Sequence, residues 1–122
     1  MNKIIPKIAI DYAKYRIRIC RSTLEALSNP EYVVFLINPE KKTIGIKQCG
    51  SSTTERHRMR PAHIDGKSCE IYSQPFLEKL LQLGVGFGIG RRYDLEGVYI
   101  PENDIVIFSL NKYTESEEQY AG

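Results

Sequence analysis

The chain has 122 residues, 42% hydrophobic and 26% charged, enough for one compact domain or two small units on a shared core. No apolar run approaches the roughly 20 residues of a membrane span. Lys7, Asp11 and Lys14 interrupt the start as a secretory leader, and the three cysteines include no Cys-x-x-Cys pair, so the expected setting is reduced and cytoplasmic, with no membrane partner.

The predicted elements begin with Tyr15 to Ile19, where Ile17 and Ile19 alternate with Arg16 and Arg18 in the period of a half-buried strand. Ser22 is the expected N-cap of a short helix, with Glu25 three residues on as a capping box requires; the helix runs through Leu24 and Leu27 and stops before Asn29-Pro30. Tyr32 to Ile37 is an apolar run rich in β-formers. The turn Asn38-Pro39-Glu40-Lys41-Lys42 joins it to a strand over Thr43 to Lys47, which predicts a hairpin. Residues 49–66 read as a linker, loop-like at first and then basic. A second unit follows: a strand near Glu70 to Tyr72, a helix from Gln74 to Leu83 with Pro75 in its first turn, and a glycine stretch from Gly84. Two strands, Gly97 to Ile100 and Ile105 to Leu110, flank the turn Pro101-Glu102-Asn103-Asp104. The acidic end, 113–122, is expected to fray.

The two units resemble each other. Leu24-Glu25-Ala26-Leu27 recurs 53 residues later as Leu77-Glu78-Lys79-Leu80, and Pro39-Glu40 recurs 62 residues later as Pro101-Glu102. The nine-residue growth in offset equals the length of the stretch Gly84 to Arg92. Two such units in one chain can form a pseudo-two-fold body able to address a two-fold-symmetric partner. The expected fold is α+β: strand–helix–β-hairpin units over about 8–48 and 67–112 sharing one β core in a single domain.

Few residues point to chemistry. The glycine stretch follows a helix and precedes a strand, and no Gly-Lys-Ser/Thr is present. It therefore reads as a helix C-cap and loop with Val85, Phe87 and Ile89 alternating inward, not as a phosphate cradle. Cys49, His57, His63 and Cys69 are zinc-type ligands, but gaps of seven, five and five residues match no standard knuckle. Cys20, between a strand and a helix, is open to a lowered pKa or to a small buried role. No metal, cofactor or catalytic residue is assigned. The stronger signal is charge. Residues 1–60 hold twelve Lys/Arg and five Asp/Glu, whereas 61–122 hold five and ten, so the net +2 divides into +7 and −5. Arg16, Arg18 and Arg21 gather at the first strand and helix, and Arg56, Arg58 and Arg60 alternate along the linker. Arginine suits phosphate and guanine contacts because its planar fork donates in pairs. The basic and acidic halves fit equally well a mutual attraction within the chain, or between copies.

The first unit resembles the AbrB-type swapped-hairpin domain. Arg16-Ile17-Arg18-Ile19-Cys20 matches that family's strand, Leu27 its helix end, and Tyr32 to Lys47 its hairpin; Tyr15 and Cys20 stand where the family has Gly and Pro. Two units in one chain are similar to the MraZ arrangement. The resemblance implies a pseudo-dimer with interleaved hairpins, binding duplex DNA as a transcriptional regulator, with Arg16 at a DNA-contacting position. Arg18, Arg21, Arg56, Arg58 and Arg60 are the accompanying candidates. The alternative is a non-enzymatic interaction or assembly module with basic and acidic faces, including a homodimer; an enzyme using Cys20 or the Cys/His set is third.

Overall fold

A computed structural model describes residues 5–59 and 68–117. Its strands are β1 (Lys7–Asp11), β2 (Arg16–Cys20), β3 (Tyr32–Asn38), β4 (Thr43–Gln48), β5 (His57–Arg58), β6 (Ser68–Ile71), β7 (Arg91–Ile100), β8 (Ile105–Ser109) and β9 (Thr114–Glu117). The helices are α1 (Arg21–Ala26) and α2 (Gln74–Leu81). Every strand pairing is antiparallel, in the order β5-β3-β4-β8-β7-β1-β2-β6, with β9 also on β7. One continuous core fills the inside of this curled sheet, including Ile8, Ile10, Ile17, Ile19, Ile44, Ile46, Tyr93, Leu95, Val106 and Phe108.

This corrects the α+β expectation: the protein is a mainly antiparallel β fold whose single sheet curls almost into a barrel. Helices of six and eight residues are too short to form a layer. Three strands absent from the sequence reading enlarge the sheet, one of them the short β5 inside the expected linker. The run Ile8-Ala9-Ile10 makes β1 a central strand between β2 and β7, and Thr114–Glu117, expected to fray, instead pairs with Arg91 to Asp94. The ends of the sheet approach one another at a cavity of about 260 Å³. Met59, just after β5, and Cys69 of β6 both line it, together with Leu24 and Pro30.

The curl depends on β7. Its first half lies between β1 and β9, and its second half pairs with β8. At the change of neighbour sits Gly97, where a Cβ would lie 2.6 Å from Phe108 Cε2 and 2.9 Å from Val106 Cγ1. Only a residue without a side chain admits the Phe108 ring there.

The hairpins β3–β4 and β7–β8 lie side by side through β4 and β8. They close on Asn38↔Thr43 and Ile100↔Ile105, 62 residues apart, around four-residue turns. The last turn residue has positive φ in both, 54° at Lys42 and 51° at Asp104.

The start of α1 differs from the expected capping box. Cys20 is the N-cap residue and no side chain caps the helix. The Ser22 hydroxyl instead accepts from the Lys7 amide (3.1 Å), while Thr23 donates to the Lys7 carbonyl (2.7 Å). Those two hydroxyls fasten α1 to the start of β1.

Candidate functional site

Register and alternation give the sheet two outward faces of opposite character. The first spans β7, β1, β2 and β6. Cross-strand pairing aligns Asp94, Ala9, Arg18 and Glu70 in one row, and Arg92, Asp11 and Arg16 in the next. Arg16 donates to Glu70 at 2.8 Å and sits 3.5 Å from Asp11 Oδ2; Arg18 donates to the same Glu70 oxygen at 2.9 Å. Asp11 is only 2% exposed, and its Oδ1 accepts from the amides of Ala13 and Lys14, holding the β1–β2 turn. The hydrogen bond from Arg18, reinforced by the charges of both arginines, holds the Glu70 carboxyl below the usual carboxylate value, and the same bond raises Arg18. Arg92 and Asp94 close the far side at 3.3 Å. Like charges directly opposite would repel, but here cations and anions alternate across the rows. Arg16 and Arg18, the leading DNA-contact candidates, thus spend their charge on Glu70 and Asp11.

The remaining basic candidates are dispersed. Arg21 pairs with Glu25 at 3.4 Å along the surface of α1. Arg56 donates to the Thr53 carbonyl and lies over the Tyr32 ring at 5.4 Å. Arg58 is exposed on the short strand β5. Arg60 and His63 lie outside the described residues. The structure brings Arg16 and Arg18 together on β2, places Arg21 beyond the end of that strand, and sets Arg56 and Arg58 just before and on β5, the strand that meets β6 across the opening of the curled sheet.

Nucleophilic and metal chemistry find no assembled geometry among the described residues. Burial pushes the Cys20 thiol up, against the lowered value a reactive cysteine needs. His57 packs on Phe35 with ring centroids 5.0 Å apart, and burial lowers its pKa, which favours the neutral ring. No group of three His, Cys, Asp or Glu residues is placed to hold a metal ion among the described residues. A shallow, open depression of about 570 Å³ is lined by Lys14, Tyr15, Tyr72 and Gln74, with no carboxylate, histidine or cysteine among them.

The second outward face spans β3, β4, β8 and β7. One row is Leu36, Gly45, Ile107 and Val98; the next is Val34, Lys47, Ile105 and Ile100. Leu36 is 46% exposed and Val98 63%. Gly45 gives this face its flatness, because a Cβ there would meet Ile105 Cδ1 at 2.6 Å and Ile107 Cδ1 at 3.3 Å. Neither helix covers it among the described residues: α1 packs on β1, β2 and β6, and Phe76 of α2 stacks on Phe35 of the inner face.

None of these outward apolar residues was singled out from sequence, although a signal was present. Tyr32 to Ile37 and Ile105 to Phe108 are apolar without alternation, a pattern that belongs to strands covered on both sides. Here one side is the core and the other meets solvent.

No family model, curated protein or solved structure matches the chain. The likeness to the swapped-hairpin family rests on the residues quoted for it. No helix is long and apolar enough to cross a membrane among the described residues.

Proposed function

We propose that this protein is a non-enzymatic interaction module that docks another protein surface on the outer face of β3, β4, β8 and β7. The supporting observation is the uncovered double row Leu36–Gly45–Ile107–Val98 and Val34–Lys47–Ile105–Ile100, six of whose eight members are aliphatic. Contiguous apolar patches of a few hundred Å² are often functional, whereas scattered single apolar residues are not. Interface cores are moreover depleted in charge, and only Lys47 carries charge within these rows. Duplex DNA, the partner implied by the family resemblance, would have to be held, among the described candidates, by Arg21, Arg56 and Arg58, since Glu70 and Asp11 offset Arg16 and Arg18.

Site-specific photo-cross-linking in the producing cell tests this reading. A photoreactive amino acid replacing Val98 is expected to give a discrete protein adduct that Leu36→Lys suppresses. The same group replacing exposed Glu78 on α2 is expected to give none. Equal labelling at both positions, or no adduct at position 98, would overturn the docking face.

A further inference from the structure

We propose that the occupant of this face is a second copy of the chain, paired face to face across a two-fold axis; this rests on the docking reading above. Two observations select the partner: the central row of the face maps onto itself within the chain, and the corners of the face carry opposite charge.

The hairpins match at a spacing of 62 residues, so Leu36 and Val98 occupy equivalent positions, as do Gly45 and Ile107. The approximate two-fold holds for this central row alone, since the equivalents of Val34, Lys47, Ile105 and Ile100 are Glu96, Ser109, Thr43 and Asn38; an isologous dimer uses the one patch twice. The corners add direction. The turn at residues 39–42 lies beyond the Asn38–Thr43 end of the face and carries Glu40, Lys41 and Lys42. The turn at 101–104 lies beyond the opposite, Ile100–Ile105 end and carries Glu102 and Asp104. The two are net +1 and net −2 at diagonal corners. A face-to-face pairing about an axis across that diagonal sets each copy's basic turn over the other's acidic turn, twice.

Size sets the strength. With strands about 4.8 Å apart, the two apolar rows cover on the order of 300 Å² per copy. That is well below the roughly 800 Å² per partner of a standard interface. The charged corners must therefore contribute, which makes the dimer weak and sensitive to salt.

Sedimentation velocity on the purified full chain, from low micromolar to sub-millimolar concentration, tests the pairing. The expected result is a reversible monomer–dimer equilibrium that raised salt weakens. Leu36→Lys with Val98→Lys is expected to raise Kd at least about tenfold while leaving the circular dichroism spectrum unchanged, because both side chains point to solvent. Lys41→Glu is expected to weaken the dimer by setting turns of −1 and −2 against each other, and Glu102→Lys added to it to restore association in part, because the turns then carry −1 and 0. A monomer at every concentration, a dimer indifferent to the Leu36 and Val98 changes, or no restoration by the exchange would each overturn the second copy. A monomer whose position 98 still cross-links to a protein of different mass in the cell leaves the docking face standing. Absence of both signals removes the two readings together.

Discussion

Arg16→Ala is expected to destabilise the protein by about 3 kcal/mol, whatever it does to binding. Removing one partner of an enclosed ion pair leaves the other charge uncompensated, which typically costs about 3–5 kcal/mol. Arg16 is 13% exposed and faces Asp11 at 2% and Glu70 at 29%, so the lower end of that range applies. Arg21→Ala is the contrast. Its pair with Glu25 is exposed at 61% and 38%, and its loss is expected to change stability by less than about 0.5 kcal/mol. Urea denaturation of the two variants checks the difference. Glu70→Gln reaches the same cluster from its acidic side and gives it a pH signature. The folded-state pKa of Glu70 lies below its ordinary 4.5, so the folded protein binds fewer protons there than the unfolded chain. Its contribution is complete above about 4.5 and disappears as pH falls through the lowered folded value. The parent should therefore exceed Glu70→Gln in stability near neutrality, and the gap should close in acid. A gap that persisted at low pH would show that Glu70 acts through packing instead of charge. A weakened DNA signal in Arg16→Ala would be informative only after this loss of stability had been measured.

The same residues show how far the sequence carried. The period-2 pattern of Arg16 to Ile19 located β2, and the two Pro-Glu turns located both hairpin turns, although β7 begins at Arg91, six residues before the expected Gly97. Local signals sufficed there because alternation and turn chemistry are properties of adjacent residues. The class was misjudged because a six-residue helix leaves a clear local signature in Leu24 and Leu27, yet sets little of the architecture. The strands that close the sheet are instead fixed by distant partners. Thr114–Glu117 is polar and becomes a strand only because Arg91 to Asp94 offers an edge. The arginines show the same division. Clustering in sequence is legible, but Glu70, which claims both Arg16 and Arg18, lies 54 and 52 residues away from them. The docking face was hidden for a related reason. An unalternating apolar run states that both sides of a strand are apolar, and only the register states which side remains uncovered.

The glycine stretch leads to a second large effect, at Tyr93. Gly84, Gly86 and Gly90 have φ of 73°, 91° and 83°, values that other residues adopt at a penalty, so residues 84–90 gain little rigidity from their own backbone. Aromatic side chains hold them. Phe87 stacks on Tyr93 at 4.2 Å between centroids, and Tyr113 meets both rings edge-on at 5.2 and 5.0 Å. The Gly88 amide donates to the Tyr93 hydroxyl at 2.6 Å, and Tyr113 donates to the Val85 carbonyl at 3.1 Å. Val85 is buried and Phe87 half-buried, but Ile89 is 77% exposed, so the expected inward alternation fails at its third member. Tyr93→Ala removes a ring that is 1% exposed and is expected to cost about 3–5 kcal/mol. Tyr93→Phe keeps the stack and orphans only the Gly88 amide, for about 1 kcal/mol. Native-state hydrogen exchange separates the two roles of this side chain. In Tyr93→Phe, exchange should accelerate at Gly88 while the β7–β8 ladder keeps its protection. In Tyr93→Ala, the loop and the β1–β7 ladder should lose protection together, because the ring that clasps residues 84–90 also packs against Tyr12 in the core. Equal protection of residues 84–90 in all three proteins would mean that the loop is held by something other than its aromatic clasp.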